Sequence, residues 1–263
     1  MHTIALVDIP DQNIPVELIP TATAAFILAG FIKGVVGFGF PIVALIVLTL
    51  AIGLFEALAI IVVPTIVTNI WQALSGPHLK AIIGRMWIYF TCAMGGILLA
   101  SVYLISVDVN LLTGLLGIVL FVFAVFRLLK VHLSVPRERE PLLSIVLGSI
   151  NGLLTGFTGS FMVPSVLYMQ ALGFGKDMLV QAMGVFFALS TIMLTGSLGR
   201  NDLITIDDAI MSTVALIPAF AGIFAGRWMR KRINEDQFQK IFLGGVLTLG
   251  AYIAWRSFGA LWF

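Results

Sequence analysis

The stretch from Ala29 to Val43, AGFIKGVVGFGFPIV, decides how this chain folds. It places a lysine, Lys33, and a cluster of glycines inside a long apolar segment. Glycine and proline both interrupt helices, so a break is predicted between Gly37 and Pro41. Without the break, a helix over residues 20–52 would be about 50 Å long at about 1.5 Å per residue. That is too long for one comfortable crossing of a hydrocarbon core of about 30 Å.

The composition predicts a membrane protein. Of the 263 residues, 60% are hydrophobic and only 11% are charged, whereas average soluble chains carry about 25% charged residues. Runs such as ALAIIVVPTIVTNIWQAL are long enough to cross a lipid bilayer, and a β-barrel would show short alternating segments instead. The fold class is therefore predicted to be an all-α polytopic membrane protein. Nucleic acid is not an expected partner, because no basic face exists outside short loops.

A second stretch, INGLLTGFTGSFMVP from Ile150, repeats the pattern of the first. Both run from glycine through apolar residues to a Gly-Phe cluster and a proline, and a gapped alignment places Lys33 opposite Asn151. The second break is predicted between Gly156 and Pro164. Each copy heads a block of about 120 residues, as in duplicated transporters. The predicted divisions are a tail at 1–19, a first repeat at 20–132, a linker at 133–140 and a second repeat at 141–263.

Charge discriminates between two arrangements of the broken elements. If each crosses the membrane once, the loop Lys and Arg residues divide eight to six between the two sides. If each folds back as a hairpin, the basic loops at 75–85, 127–140, 173–177 and 227–240 share one side, with 12 of the 15 Lys and Arg residues. The positive-inside rule favours the hairpins. The prediction is two inverted repeats in the bacterial inner membrane, with a cytoplasmic linker and both termini extracytoplasmic.

Each predicted repeat is a broken helical hairpin followed by three transmembrane helices. The three spans are predicted near 57–74, 86–105 and 110–126 in the first repeat, and near 178–198, 209–226 and 241–261 in the second. The hairpin tips are expected to meet near the midplane, where two breaks are typical of a transport site. Irregular backbone is tolerated there only under protein or beside a water-filled cavity.

Lys33 indicates an anion as the ligand. The helices that follow the breaks are expected to begin near Phe40 and Ser160, and their free N–H groups suit an anion. Lys33 adds a full positive charge, and no Asp or Glu lies inside any predicted span. The missing counter-charge is then the substrate, since ionisable residues in membranes are usually functional. The alternative is that Lys33 snorkels to an interface.

The remaining candidates come from the breaks and from polar residues in the spans. Gly30 and Gly222 are predicted to pack helices, whereas Gly37, Gly39, Gly156 and Gly159 are predicted to expose backbone. The polar residues either line the cavity or bond helix to helix, and the phenylalanines either gate the site or pack. The predicted substrate-binding residues are Lys33, Gly37, Phe38, Gly39, Phe40, Asn69, Gln72, Asn151, Gly156, Phe157, Thr158, Gly159, Ser160 and Gln181. Ser190 and Thr191 are further polar candidates.

Enzyme classes find little support. The three histidines fall in loops or the tail, no aspartate motif for intramembrane proteolysis is present, and no Walker motif occurs. GVVGFGF lacks the strand, turn and helix that a dinucleotide fingerprint needs. No catalytic residue, metal or cofactor is therefore predicted. Cys92, the single cysteine, is expected to pack.

The two glycine-rich motifs, GFIKGVVGFGFPIV and NGLLTGFTGSFMVPSVLYMQALG, resemble those of the TauE/SafE family, the sulfite exporter or anion permease family. The resemblance spans nearly the whole chain and implies duplicated halves that move sulfite, sulfonates or other small anions. Phe40 and Ser160 stand where many relatives have a run of glycines. The resulting hypothesis is a secondary transporter of small anions working by alternating access. A membrane scaffold and an anion channel are the alternatives, and carboxylate substrates, the direction of flux, H⁺ or Na⁺ coupling and a homodimer stay open.

Overall fold

The fold is helical throughout the part of the chain that the structure describes. The computed structural model describes residues 19–129, 133–201, 203–230, 232 and 234–260, and within them all regular elements are helices. Eight helical spans among the described residues are long and apolar enough to cross a membrane. The predicted all-α polytopic class is therefore confirmed. The predicted tail lies outside the described residues except for Ile19.

The described α-helices follow the predicted order of spans. They are α1 Ile19–Val36, α2 Phe40–Ile52, α3 Leu54–Leu74, α4 Leu79–Tyr103, α5 Val109–Leu128, α6 Glu140–Thr158, α7 Ser165–Ala171, α8 Lys176–Arg200, α9 Ile206–Val214, α10 Leu216–Arg230 and α11 Glu235–Gly259. The span predicted at 209–226 is divided at Ala215 into α9 and α10. Pro218 explains this division, because it has no N–H to donate to the carbonyl of Val214.

The first broken element folds back on itself. Gly37 and Gly39 connect α1 to α2 with φ angles of 89° and 100°, a region that residues with a side chain rarely adopt. The rings of Phe26 in α1 and Phe40 in α2 lie 6.2 Å apart, and a Cβ on Gly39 would lie 3.4 Å from the Ile32 side chain. α2 therefore runs back along α1, and it begins at Phe40 as predicted. Residues 19–52 are called the first hairpin below.

The second broken element has a longer connection than expected. α6 ends at Thr158, Gly159 has a φ of 68°, and α7 begins only at Ser165. The predicted helix start at Ser160 is wrong, because the chain stays irregular as far as Pro164, which lacks an N–H and precedes the first turn. Residues 140–171 are called the second hairpin.

Arg85 of α4 joins the two ends of the second hairpin. Its guanidinium donates to both carboxylate oxygens of Glu140, at 3.0 and 2.6 Å, and to the carbonyl of Leu172 at 3.0 Å. The Tyr168 hydroxyl in α7 also donates to the Glu140 carbonyl at 3.0 Å and hydrogen-bonds the Ser144 hydroxyl at 2.7 Å. Such forked Arg–carboxylate contacts are among the stronger hydrogen bonds. The start and end of this hairpin therefore lie together at one end of the bundle.

Four helix pairs make the most extensive contacts: α1 with α10, α4 with α6, α3 with α8 and α5 with α11. Gln181, near the start of α8, donates to the carbonyls of Ala73 and Gly76 at the end of α3. α3 and α8 therefore run antiparallel. The loops at 75–78 and 172–175 lie at the same end of the bundle. This end is called the basic end, because Arg85 and Arg230 also lie there.

Close glycine contacts occur in a repeated register between the two halves. The contacts of α1 with α10 recur between α6 and α4. Each residue of α1 matches the residue of α6 that is 122 positions later (30 to 152), and each residue of α10 matches the residue of α4 that is 126 positions earlier (219 to 93). In each contact, a Cβ on the glycine would meet a carbonyl oxygen of the other helix. The matching pairs are Gly30 with Ala219 and Gly152 with Ala93, Gly34 with Ile223 and Gly156 with Ile97, and Gly222 with Ile27 and Gly96 with Ser149.

This register changes two expectations. It pairs Lys33 with Thr155 rather than with Asn151, because the glycines align without a gap and α1 and α6 both end just before the matching Gly37 and Gly159. Packing by Gly30 and Gly222 is confirmed. Gly156, predicted to expose backbone, instead packs α6 against α4. The predicted repeat boundaries stay a prediction.

A hydroxyl on α9 replaces the backbone hydrogen bond that Pro64 cannot make inside α3. Proline cannot donate to the carbonyl four residues earlier, and the Ser212 hydroxyl donates to that Ile60 carbonyl at 2.8 Å. The same hydroxyl accepts the Val63 N–H at 2.9 Å. Ser212 is fully buried, so it satisfies two backbone groups that water does not reach.

Ser212→Ala is expected to lower the free energy of unfolding by about 1 kcal/mol, since interhelical hydrogen bonds in membranes have about this strength. Thr213→Val is the matched control, because the exposed Thr213 hydroxyl donates to the Ala209 carbonyl within its own helix and bonds no other helix among the described residues. Thermal unfolding of the detergent-solubilised variants checks this. Equal melting temperatures for both variants would show that the Ser212 bridge contributes nothing.

Candidate functional site

A cavity of about 490 Å³ lies between the ends of α1, α3 and α10 and the start of α8. It is bounded at the basic end by the loop Ser75–His78 and by Arg230, and at its floor by Lys33 and Thr68. At about 30 Å³ per molecule, this volume corresponds to about 16 waters. A small hydrated solute can therefore occupy it.

Lys33 lies in the last turn of α1 with only 8% of its surface exposed. Its Nζ donates to the Thr68 Oγ1 at 3.0 Å and to the Asn69 Oδ1 at 2.6 Å. Both partners are neutral, and within the described part of the chain no carboxylate pairs with Lys33. The ammonium is held by α3 inside the protein, so the snorkelling alternative is wrong.

The partners on α3 are themselves arranged by local structure. The Thr68 hydroxyl donates to the Pro64 carbonyl at 2.7 Å, which leaves its oxygen to accept from Lys33. Asn69 is 1% exposed, and its Nδ2 has no partner among the described residues. An ammonium has three N–H donors, so Lys33 and Asn69 together retain donors for an acceptor that the protein does not supply.

Two arginines of α10 add positive charge near Lys33. Arg227 and Arg230 line the cavity, and the Arg227 guanidinium lies 4.5 Å from the ring centre of Trp71, a cation–π contact. Asp177 in the first turn of α8 is the carboxylate among the lining residues. Among the described residues that line the cavity, cations outnumber carboxylates, and Lys33 and Arg227 give the cavity a positive potential that attracts anions.

Sequence reasoning treated Arg227 and Arg230 as loop charges and missed their role in the cavity. The available signal was Arg227 directly after Gly226, in the small-residue pattern of Gly222 and Gly226. Those glycines allow α10 to approach the backbone of α1 closely, and this brings the next residue to the level of Lys33. Thr68 and Trp71 were also missed.

Gln72 and Gln181, both predicted, line the cavity and tie α3 to α8. Gln72 Nε2 donates to the Val180 carbonyl at 2.7 Å. Gln181 Nε2 donates to two carbonyls at the end of α3, and its Oε1 accepts the His78 N–H at 2.9 Å. Both ends of the Gln181 amide are thus occupied by backbone, so Gln181 shapes the cavity wall.

The first break contributes one predicted residue to the cavity. Gly37 lines it, and a Cβ there would meet nothing within 4 Å. Phe38 is buried, with the Arg127 guanidinium 5.7 Å from its ring centre. Gly39 and Phe40 are buried behind it. The predicted role of these three in binding stays a prediction.

The predicted residues of the second break lie away from the Lys33 cavity. They are Asn151, Gly156, Phe157, Thr158, Gly159 and Ser160. The Thr158 hydroxyl donates to the Leu154 carbonyl at 2.6 Å. Asn151 Nδ2 contacts the Phe161 carbonyl at 3.4 Å. Their roles in binding also stay predictions.

The two breaks nevertheless lie side by side, as expected for hairpin tips that meet. A void of about 10 Å³ is lined by Pro41, Ile42 and Leu45 from the first hairpin and by residues 159–162 of the second. The Ser160 hydroxyl is buried and has no partner among the described residues. This void is at the lower limit of the space that one water needs.

Membrane-length helices surround a positively charged cavity that is open at the basic end, an arrangement typical of polytopic membrane proteins of the transporter class. A family model described as Sulfite exporter TauE/SafE matches residues 22–253. The chain therefore belongs to the TauE/SafE family of membrane sulfite exporters, as its two motifs indicated. Members of this family are transporters rather than enzymes. No curated protein and no solved structure matches the chain.

Proposed function

We propose that this protein is a secondary transporter of small anions, chiefly sulfite or organosulfonates, that works by alternating access. One observation carries the proposal: the Lys33 ammonium is buried at the floor of the cavity with only neutral partners. A buried charge without a counter-charge is costly. An anion bound at Nζ supplies that counter-charge.

The order of the binding steps follows from the charges of the cavity. Arg227 and Arg230 attract the anion towards the cavity. It then exchanges water for the donors of Lys33 and Asn69, forming charge-assisted hydrogen bonds. Few contacts are needed, so a sulfonate and a carboxylate are distinguished mainly by shape and by the number of oxygens.

The orientation is proposed from the basic loops. The cavity reaches the basic end of the bundle, and the positive-inside rule places that end in the cytoplasm. The structure would then correspond to an inward-facing state in the bacterial inner membrane, with both termini extracytoplasmic.

Two observations support a carrier over an open channel. The helix contacts repeat between the halves, and the equivalent helices α3 and α8 run antiparallel, which supports an inverted repeat. Such repeats are typical of alternating access. Between the two breaks, the void is only about 10 Å³, which supports a path that is closed at the hairpin tips.

Purified protein in proteoliposomes tests the proposal. The panel is sulfite, sulfate, thiosulfate, taurine, isethionate, sulfoacetate and acetate, each with and without an imposed Na⁺ or pH gradient. One sulfur anion is expected to show saturable flux, and to stabilise the protein by about 2.7 kcal/mol at about 100 times its dissociation constant. Current that does not saturate would indicate a channel. Absence of both flux and stabilisation would favour the scaffold.

A further inference from the structure

The repeated register assigns a counterpart to each residue of the Lys33 cavity. Two shifts in residue number relate the halves. A shift of 122 relates α1 to α6 (30 to 152) and the start of α3 to the start of α8 (54 to 176). A shift of 126 relates α4 to α10 (97 to 223). The counterpart positions of four cavity residues are all hydroxyl residues. These pairs are Lys33 with Thr155, Thr68 with Ser190, Ser75 with Ser197, and Arg227 with Ser101.

The counterparts are buried, although the residues they match line an open cavity. Thr155 and Ser190 are 0% exposed, Ser197 is 1% exposed and Ser101 is 3% exposed. The hydroxyls of Ser190 and Ser197 have no partner among the described residues. Buried polar groups without a partner are uncommon in folded proteins. Both hydroxyls would be satisfied in a state in which water reaches them.

The helices place these counterparts at the other end of the bundle. α3 and α8 run antiparallel, so Ser197 near the end of α8 lies far from Ser75 at the end of α3. Ser197 is therefore close to the end opposite the basic end. Ser190 lies about two turns deeper along α8, as Thr68 lies deeper than Ser75 along α3.

One side-chain amide bridges α8 and α4 in this region. Asn201 Nδ2 donates to the Ser197 carbonyl at 2.8 Å and to the Ser101 carbonyl at 3.2 Å. It thereby joins α8 to α4 at the far end of the bundle, in the position equivalent to that of Ser75 and Arg227 at the open cavity. Separation of α8 from α4 at this end would break the Asn201 bridge to Ser101.

We infer that a second anion path, closed in this structure, runs from Lys33 to the end opposite the basic end between α4, α6 and α8. Ser190 and Ser197 line it with hydroxyls that have no partner among the described residues. Thr155, whose hydroxyl here donates to the Ser160 carbonyl, lines it as well. The Ser101 position borders its mouth, and Asn201 bridges that mouth. The hydroxyls can hydrogen-bond an oxyanion without holding it by a fixed charge. The inference rests on the proposed alternating access and names the residues of the opposite-facing state.

Sided cysteine labelling tests the inference in the full-length protein. In a Cys92→Ser background, Ser190→Cys and Ser197→Cys replace hydroxyls with thiols of similar size. Ser257→Cys is the matched control, because Ser257 is 6% exposed, lies near the end of α11 and has no counterpart in the cavity. The probe is an impermeant anionic methanethiosulfonate, applied to intact cells and to inverted vesicles. Ser75→Cys reports the open cavity.

Ser197→Cys is expected to react from the side opposite Ser75→Cys, at about 0.1–10% of the rate of a fully exposed cysteine, since the opposite-facing state is a minor population. Asn201→Ala should raise that rate about fivefold, the factor for one net hydrogen bond. The labelling rate of Ser257→Cys should be lower than that of Ser197→Cys, with or without Asn201→Ala, and Asn201→Ala should not change it.

Anion flux, measured on the Cys92→Ser background, separates the two proposals. Flux together with Ser190→Cys and Ser197→Cys reacting no faster than Ser257→Cys would overturn this path and leave transport standing. Reaction only from the side of Ser75→Cys would overturn it as well. Sided labelling that Asn201→Ala accelerates, without flux of any anion in the panel, would support the path and contradict transport.

Discussion

Lys33→Gln is expected to weaken anion binding by about 10- to 100-fold, because a hydrogen bond to a charged group contributes about 1.5–3 kcal/mol. Glutamine keeps a polar end near Thr68 and Asn69 but removes the positive charge that α3 holds at the cavity floor. The measurement is a titration of the purified variant with the anion that stabilises the unmodified protein, followed by thermal unfolding.

Without a ligand, Lys33→Gln should be at least as stable as the unmodified protein. Removing a buried charge with neutral partners is expected to leave the melting temperature unchanged or higher, so lost binding cannot be attributed to misfolding. Lys80→Gln, at an exposed position outside the cavity, is the matched control and should bind normally. Unchanged affinity in Lys33→Gln would show that Lys33 is structural and would remove the main support for the anion site.

Gly96→Val is expected to lower the free energy of unfolding by about 3 kcal/mol, the upper part of the range for overpacking a tight contact. A Cβ on Gly96 would lie 2.7 Å from the Ser149 carbonyl oxygen and 2.9 Å from the Cα of Gly152. Both are backbone atoms, which cannot move aside without separating α4 from α6. The melting temperature should fall by about 10 °C.

The neighbouring glycine provides a control one residue away. Gly95 is exposed on a different face of α4, and a Cβ there would meet nothing within 4 Å. Gly95→Val has the same composition, depth and change in helix propensity, so it should unfold within about 0.5 kcal/mol of the unmodified protein. A similar loss of stability in both variants would mean that helix propensity, rather than the α4–α6 contact, sets the effect.

Local chemistry made the first half of the site predictable. The break at Gly37 and Gly39 follows from residues that tolerate positive φ, and the start of α2 at Phe40 follows from Pro41 in its first turn. The isolated charge of Lys33 required no knowledge of its neighbours, because any lysine deep in an apolar segment needs a polar partner. Charge asymmetry between loops was likewise a property of the chain alone.

The partners of Lys33 depended on how helices face one another. Asn69 was a candidate and Thr68 was missed, although both lie on the same helix, because the side chain that meets Lys33 is set by the rotation of α3 against α1. Arg227 and Arg230 reach the cavity through the close approach of α10, which lies almost 200 residues further along the chain (33 to 227).

The second half of the site shows the same division. The glycine motif indicated a break after α6, but a gapped alignment placed Asn151 opposite Lys33 and a helix start at Ser160. The contacts of Gly152 and Gly156 with α4 instead align the halves without a gap, and the residues of the second break are not among those that line the cavity.

By itself, the sequence determined an all-helical membrane protein with two breaks, a solitary lysine and basic loops, because these follow from hydropathy, backbone freedom and net charge at single positions. Only the tertiary structure decided which side chains surround that lysine and which half is open. Those properties depend on helix rotation and on distances between helices, and the van der Waals contact of glycine surfaces from distant parts of the chain sets both.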